Sequence, residues 1–257
     1  MRLSHDLIQL FRDDGYALVR GLIPADLTAS VRNRTMEVGR GEHDWGDGPF
    51  QVADPEQYRR EDGGMVPIGI QGPANQEDVF KQMAEHPNLQ SAMSQILGGE
   101  VQLFTDQIAI KHKFLTQEQG GRSYYHQDSD YWHIEPELGC NCWIPLDEVD
   151  RQSIALAVIP GSQRGWKIFE HEHYFDDPPL CSARNGQAFK RKRIPLDQVD
   201  DSNEVIFPMS PGDGLFFTNY TWHRSEPNRS GEDKAFYAIA YQLTEEAVQA
   251  KLTSRTA

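Results

Sequence analysis

The period of the hydrophobic pattern changes near residue 101, and this change constrains the fold more than any other feature of the sequence. Before it, apolar residues recur at helical spacing, which predicts helices at about 4–13, 25–39 and 86–97. After it, short runs rich in β-branched and aromatic residues end at Gly, Pro or Asp, which indicates strands. Helices followed by strands with long connections predict an α+β, mainly β chain with a jelly-roll core and flanking N-terminal helices.

The chain is predicted to have a simple organisation. With 257 residues it is long enough for one substantial hydrophobic core, so we expect a single domain spanning 1–257. Residues 40–78 are rich in Gly and Pro and lack periodicity, which predicts an irregular insertion. The mixed composition of residues 164–195 is typical of a lid, and we expect both segments to border the functional site.

The charge and cysteine content disfavour several classes of partner and compartment. A formal net charge of −14 argues against wide contact with nucleic acid or with an anionic membrane surface. The N-terminal residues are too polar for a signal sequence or a membrane span, and an odd cysteine count favours reduced thiols, so we expect a cytoplasmic protein. Cys140 and Cys142 have no second pair at zinc-ligand spacing, which predicts buried strand cysteines.

The candidate metal ligands are His126, Asp128 and His223. His126 and Asp128 are two positions apart, so at a strand end both side chains face the same side and can reach one metal ion. His223 directly follows the apolar run of a predicted strand, where a ligand from a neighbouring strand would lie. Two imidazoles and one carboxylate are the facial triad of mononuclear non-haem iron, which leaves coordination positions open for reactants. The pattern therefore predicts an Fe(II) site.

Several short motifs stand in an order that is typical of one enzyme family. They are Asp14-Gly15, Ile96-Leu97-Gly98, Lys111, His126-Gln127-Asp128, Trp143-Ile144-Pro145-Leu146-Asp147, Val158-Ile159-Pro160-Gly161-Ser162, Pro211-Gly212-Asp213 and His223-Arg224-Ser225. On these motifs, which cover most of the chain, the sequence resembles the phytanoyl-CoA dioxygenase family of iron and 2-oxoglutarate oxygenases. The resemblance implies the double-stranded β-helix form of the jelly roll, with Fe(II) and 2-oxoglutarate as cofactors.

The resemblance also implies roles for individual residues. In the family the first His, the Asp and the last His bind iron, which here are His126, Asp128 and His223. The family usually binds the far carboxylate of 2-oxoglutarate with an Arg on the strand after the last His. Lys234 occupies that position in this chain. Its ammonium can neutralise a carboxylate but lacks the planar fork of a guanidinium.

Four more residues are expected to contact the co-substrate. Lys111 matches a family lysine that helps to hold 2-oxoglutarate, and Gln107 shares its face of the predicted strand, which would be the polar interior. Ser225 is implied as a hydrogen-bond donor to a carboxylate of 2-oxoglutarate. Trp143 is implied as a wall of the same pocket.

The activity implied by the resemblance is hydroxylation, or another oxidation, of an unactivated C–H bond of a small-molecule metabolite. Dioxygen and 2-oxoglutarate are consumed, succinate and CO₂ are released, and no catalytic residue beyond the metal site is expected. Two alternatives remain open. One is a metal-dependent jelly-roll dioxygenase or isomerase that does not use 2-oxoglutarate, and the other is a non-catalytic metabolite-binding relative.

The substrate side of the site is predicted from position alone. Tyr131, Trp132 and His133 follow the triad acid directly and are expected at the mouth. The acidic net charge favours a small neutral or cationic metabolite. The basic run 190–193 is interpreted as a surface patch that could steer an anionic substrate, and His171 and His173 are interpreted as solvated loop residues.

Overall fold

The computed structural model describes residues 1–43, 45, 50–115, 123–175 and 178–256. The helices are α1 (His5–Asp14), α2 (Ala25–Arg40), α3 (Asp78–Ala84), α4 (Pro87–Leu97), α5 (Ser129–Trp132) and α6 (Glu245–Thr256). The strands are β1 (Tyr16–Val19), β2 (Phe50–Ala53), β3 (Pro67–Gln71), β4 (Val101–Lys111), β5 (Gly139–Pro145), β6 (Leu156–Val158), β7 (Glu172–Tyr174), β8 (Leu180–Ser182), β9 (Arg191–Arg193), β10 (Val205–Ile206), β11 (Gly214–Thr218), β12 (His223–Ser225) and β13 (Lys234–Leu243).

The three predicted N-terminal helices are confirmed as α1, α2 and α4. The side chain of Ser4 accepts a hydrogen bond from the backbone N–H of Leu7 and so caps the start of α1. α1 ends where Gly15 takes the left-handed conformation, with φ 83°, and donates its N–H to the carbonyl of Phe11. Gly98 ends α4 in the same way, with φ 75°. Within the described ranges, every helix falls short of the length or apolarity needed to cross a bilayer.

Two antiparallel sheets build the core. The major sheet has eight strands in the order β1-β11-β5-β13-β4-β3-β2-β8, and the minor sheet has three in the order β10-β6-β12. A separate pair, β7-β9, lies in the predicted lid segment. Apart from β2, β3 and β4, which are consecutive in sequence, neighbouring strands in the two sheets are distant in sequence, as the long connections of a jelly roll require. The predicted fold class, a double-stranded β-helix with flanking helices, is confirmed.

The two faces of the major sheet have different partners because successive side chains on a strand point to opposite sides. On one face, Cys140, Cys142 and Tyr237 pack with the helices in the larger apolar core. On the other, Trp143 and Phe217 pack toward the minor sheet in a second core. Both cysteines of the C-x-C pair are buried and reduced, which confirms that interpretation.

The predicted irregular insertion at 40–78 is partly wrong. Strands β2 and β3 lie within it and extend the major sheet beyond β4. Pro67 and Gly69 interrupt the alternation of apolar and polar residues that would indicate β3 in the sequence. β3 is a strand because its backbone pairs with that of β4. Residues 44 and 46–49 of this segment lie outside the described residues, as do 176 and 177 of the predicted lid. Opening of the 164–195 segment stays a prediction.

A buried carboxylate stabilises the contact between β4, β13 and the turn after β3. Asp106 is 1% exposed, and its Oδ2 accepts hydrogen bonds from the Tyr237 hydroxyl at 2.5 Å and the Ala74 backbone N–H at 2.9 Å.

We expect Tyr237→Phe to lower the free energy of unfolding by about 1–3 kcal/mol, because Asp106 loses a donor where water cannot replace it. Urea unfolding measures this. Tyr16→Phe, at the edge strand, is the control, and an equal loss in both variants would contradict the prediction.

Candidate functional site

Two histidines that are far apart in sequence are direct neighbours at the β12 edge of the minor sheet. The backbone N–H of His126 donates to the carbonyl of His223, and the reciprocal bond also forms, both at 3.2 Å. Residues that face each other across an antiparallel pair point to the same side. The two imidazole rings therefore lie together, with their centroids 4.3 Å apart.

Asp128 completes a compact group with the two histidines. It immediately precedes α5, and its Oδ1 lies 3.5 Å from Nε2 of His223 and 3.9 Å from Nε2 of His126. One ligating atom from each of the three residues lies within 4.8 Å of the others. The structure thus brings the three predicted metal ligands together.

The protonation of the group suits a divalent cation. The Nδ1–H of His126 donates to the carbonyl of Tyr124, and that of His223 donates to the carbonyl of Thr221, both at 2.9 Å. This fixes the tautomer that leaves each Nε2 lone pair directed at the site. Burial lowers the pKa of His126 to about 3 and that of His223 to about 4, so both rings are neutral at pH 7. Two neutral imidazoles and a carboxylate are a donor set that fits Fe(II).

Asn141 orients the carboxylate of this group, and the sequence reasoning missed it. Its Nδ2 donates to Asp128 Oδ2 at 3.0 Å, which leaves Oδ1 directed at the histidines. Asn141 lies on β5 between two cysteines that face the helices, so it points to the opposite side, toward the site. The available signal for Asn141 was its polar side chain at the inward position of β5, a strand that is buried throughout.

We expect Asn141→Ala to weaken metal affinity by about 10- to 100-fold, because the residue holds a ligand without touching the metal itself. Titration calorimetry with Mn(II) measures the change. Cys142→Ala is a matched control on the same strand, since its side chain lies in the helix-facing core. We expect it to lower thermal stability and to leave metal affinity unchanged. Equal affinities of Asn141→Ala and the wild type would contradict the role of Asn141.

The triad opens into a cavity of about 490 Å³ between the sheets, within the range of ligand pockets in proteins. Of the residues predicted to contact cofactor or substrate, six line this cavity: Gln107, Lys111, Trp143, Ser225, Tyr131 and Trp132. His133 does not. It caps the end of α5 with φ 53° and lines a different hollow beside Phe104.

Lys111 places an ammonium group in the cavity wall. Its Nζ donates to Ser225 Oγ at 2.6 Å and to the carbonyl of Glu226 at 3.0 Å. Ser225 Oγ lies 2.9 Å from Ser123 Oγ, so a cation and two hydroxyls are adjacent. Gln107, on the same face of β4, is bonded to Gln71 at 3.0 Å. The face expected to form the polar interior does line the cavity.

Lys234 lies apart from that group. It pairs with Lys111 across β13 and β4 and lies on the same strand face as Phe236. Phe236 lines the triad cavity, whereas Lys234 lines a separate surface hollow with Glu148 and Asp150. Its Nζ is 3.5 Å from Glu232 Oε2. Binding of 2-oxoglutarate by Lys234 stays a prediction.

The interpretation of His171 as solvated is wrong. Its side chain is 1% exposed, and its Nε2 accepts the backbone N–H of Gln127 at 3.0 Å. The amide of Gln127 also donates to the carbonyl of Lys167 and accepts from the N–H of Phe169. These bonds tie the 164–195 segment to the residue between two triad members. Only the folded chain brings the partners together, so the local sequence held no signal for them.

Comparison with known proteins places the chain among one group of enzymes. The sequence model of the family described as phytanoyl-CoA dioxygenase matches residues 11–236. An ectoine dioxygenase from Stutzerimonas stutzeri (strain A1501) is 24% identical, with 96% of this chain and 80% of that protein covered.

Two solved structures share the fold. EvdO2 from Micromonospora carbonacea var. aurantiaca, complexed with 2-oxoglutarate, has a TM-score of 0.68 at 20% identity, covering 95% of this chain and 92% of that one. EctD from S. alaskensis with bound Fe has a TM-score of 0.68 at 19% identity, covering 94% and 77%.

Proposed function

The chain belongs to the phytanoyl-CoA dioxygenase family, and we propose that it is an Fe(II)- and 2-oxoglutarate-dependent oxygenase that hydroxylates, or otherwise oxidises, an unactivated C–H bond of a small-molecule metabolite. The observation that carries the proposal is the convergence of His126, Asp128 and His223 at the wall of a cavity, with both imidazoles neutral. The family match over most of the chain supports it.

In this proposal the three residues hold iron through the two Nε2 atoms and Asp128 Oδ1. Iron and 2-oxoglutarate together supply the oxidising chemistry, in which dioxygen is consumed and succinate and CO₂ are released. The chain orients the ligands through the two backbone carbonyls and Asn141, and it surrounds the reacting C–H bond with a cavity shielded by Trp143 and Trp132.

We assign the far carboxylate of 2-oxoglutarate to Lys111 and the hydroxyl of Ser225. An anionic group needs a cation where water is excluded, and Lys111 is the cationic residue that both lines the cavity and matches a family lysine. Gln107 and Trp143 would flank the co-substrate. Lys234 remains the second candidate, and variants of the two lysines distinguish them.

The relatives support these cofactors. EvdO2 is known in complex with 2-oxoglutarate and EctD with bound Fe, and the protein from S. stutzeri is named for dioxygenation of ectoine, a small molecule. A metal enzyme without 2-oxoglutarate and a non-catalytic relative are both disfavoured, because the triad and the adjacent Lys111 and Ser225 are all present.

The experiment is a turnover assay without substrate. Purified protein with Fe(II), 2-oxoglutarate and air is expected to form succinate slowly. Removal of iron by a chelator is expected to stop succinate formation, and added Fe(II) is expected to restore it. Zn(II), which has no redox chemistry, is expected to bind without restoring turnover. Succinate formation that is unchanged without iron, or no 2-oxoglutarate consumption with it, would contradict the proposal.

A further inference from the structure

One wall of the triad cavity carries three uncharged amide side chains. Gln51 lies on β2, Gln71 on β3 and Gln107 on β4, and all three line the cavity. These strands are direct neighbours in the major sheet, with Gln71 opposite Gln107 and Gln51 opposite Gly69. The three side chains, called the amide row below, therefore stand side by side where β2 and β3 extend the sheet beyond β4.

The amide row has hydrogen-bonding capacity that the described part of the chain leaves unused. Gln71 Nε2 donates to Gln107 Oε1 at 3.0 Å, and among the described residues this is the one hydrogen bond of the three side chains. A carboxamide offers two donors and two acceptor positions. Gln71 Oε1, Gln107 Nε2 and the whole amide of Gln51 are therefore available to a ligand in the cavity.

Small residues beside the amide row leave space for such a ligand. Gly69 on β3, Ala109 on β4 and Ala238 on β13 line the same cavity. Gln51 Oε1 lies over Gly69, where an added Cβ atom would approach it to 3.2 Å. The sheet surface between the amide row and β5 is therefore low, with the amide groups at its far edge.

The strand order sets the distance between the amide row and the metal ligands. Asn141 on β5 donates to Asp128, and β13 and β4 lie between β5 and β3. Adjacent strands are about 4.8 Å apart, so β3 lies about 14 Å from β5 along the sheet. A molecule that reaches both the triad and Gln71 must therefore be elongated, on the order of 10 Å between the two groups.

The basic stretch before and within β9, predicted to be a surface patch, also lines this cavity. Lys192 pairs with Asp130 at 2.8 Å. The guanidinium of Arg191 lies over the ring of Tyr174, 5.2 Å from its centroid, and Lys190 is exposed. Two of these cations are therefore engaged by the chain itself, and the amide row is a separate polar feature of the wall.

A neutral group matches the amide row better than an ion. An ionised carboxylate only accepts hydrogen bonds and an ammonium only donates them, so either one leaves amide groups unpaired when water is displaced. A hydroxyl or a carboxamide does both, and removing a neutral group from water costs less than removing a charge. A site built to hydrogen-bond such a group rejects an analogue that lacks it.

We propose that the substrate carries a neutral group that both donates and accepts hydrogen bonds, either hydroxyls or a carboxamide, and that Gln71 and Gln51 bind this group. It lies on the order of 10 Å from the C–H bond that is oxidised. Gln107, which flanks the co-substrate, holds Gln71 in place through their shared hydrogen bond. This inference rests on the proposed function and narrows the expectation, drawn from net charge, of a neutral or cationic metabolite.

The test measures the binding of four probes to protein loaded with Mn(II) and saturating 2-oxoglutarate. All four have a phenyl ring on a four-carbon chain: 4-phenylbutanamide, 4-phenylbutane-1,2-diol, 4-phenylbutanoate and 4-phenylbutylamine. The paramagnetic ion broadens the proton resonances of a bound probe, and broadens most those protons that are nearest to it, so NMR line widths report affinity and orientation.

We expect the amide or the diol to bind about tenfold or more tightly than either charged probe, because the amide row can form more than one hydrogen bond with it. The tighter of these two distinguishes a carboxamide from hydroxyls as the natural group. The phenyl protons of the bound probe are expected to broaden more than the protons beside the neutral group, since that group lies far from the triad.

Gln71→Leu removes the amide at similar size and is expected to abolish the preference, with a loss of about tenfold in affinity for the neutral probe. Gln71→Glu is expected to invert it, so that 4-phenylbutylamine binds most tightly, because a carboxylate attracts a cation. Gln76→Leu and Gln76→Glu are the matched controls, since Gln76 is exposed shortly after β3 and lies outside the cavity lining. We expect both to bind the probes as the wild type does.

A charged probe that binds the wild type as tightly as both neutral probes, or no binding of either neutral probe, would overturn the inference. So would a neutral preference that survives Gln71→Leu or Gln71→Glu. Failure of the proposed function is read separately, without any probe. Bound Mn(II) raises the relaxation rate of water protons, and 2-oxoglutarate changes that rate when it displaces water from the ion. Absence of the first signal means that the metal site is wrong, and absence of the second means that the co-substrate is wrong.

Discussion

Replacing His223 with alanine is expected to remove specific iron binding and to lower succinate formation by more than a hundredfold. Loss of an outer-shell partner of a metal ligand typically costs about 10- to 100-fold in affinity or activity, and loss of a ligand itself costs more. The remaining His126 and Asp128 can hold the ion at two positions only. Iron affinity, measured by anaerobic titration, and succinate formation, measured in air, report the two losses.

His5→Ala is the control for this variant, because His5 is an exposed residue at the start of α1. It is expected to match the wild type in both assays. Since His223 is 5% exposed, circular dichroism and thermal unfolding are needed to show that His223→Ala is folded. A folded His223→Ala protein that binds iron and forms succinate at the wild-type rate would contradict the assignment of this ligand.

Replacing Lys111 with methionine is expected to raise the dissociation constant of 2-oxoglutarate by about a hundredfold. The side chain keeps its length and loses its charge, so the far carboxylate is left without a cation in the cavity. Truncating one partner of such a pair costs about 2–5 kcal/mol, and each 1.4 kcal/mol is about tenfold in affinity. Calorimetric titration of the Mn(II)-loaded protein with 2-oxoglutarate measures the constant.

Lys234→Met makes the same chemical change at the position where the family usually has an arginine. We expect a much smaller effect there, because Lys234 lines the hollow with Glu148 and Asp150. If Lys234→Met weakened 2-oxoglutarate binding more than Lys111→Met, Lys234 would be the cation that binds the co-substrate. The family position would then identify this cation, and the side-chain geometry, which favours Lys111, would not. If both variants bound 2-oxoglutarate as tightly as the wild type, the assignments of Lys111 and of Lys234 would both be contradicted.

The grouping of the three candidate metal ligands could be predicted from their spacing. His126 and Asp128 are two positions apart, and His223 begins β12 directly beside His126, although Asp128 has helical backbone before α5 and is not part of a strand. Lys234 shows the limit of that reasoning. The pattern gives the face of a strand correctly, but which cavity a long side chain reaches depends on its neighbours, here Phe236 and Glu232.

Other features could not be predicted because their partners are distant in sequence. β3 is a strand because it pairs with β4, although it contains Pro67 and Gly69, and β2 in turn pairs with β3. His171 is buried because the backbone of Gln127 needs an acceptor there. The cations of β9 line the cavity because the strand pairs with β7 beside the triad, whereas a basic run in isolation indicates a solvated surface.

Absorption spectroscopy tests the claim that this chain holds Fe(II) with 2-oxoglutarate as its co-substrate. The apoprotein is titrated without oxygen, first with Fe(II) and then with 2-oxoglutarate. We predict that a weak visible metal-to-ligand charge-transfer band forms on addition of 2-oxoglutarate in the wild type and is lost in His223→Ala. Iron binding without such a band, even at millimolar 2-oxoglutarate, would contradict the claim and would favour a metal enzyme that does not use the keto acid.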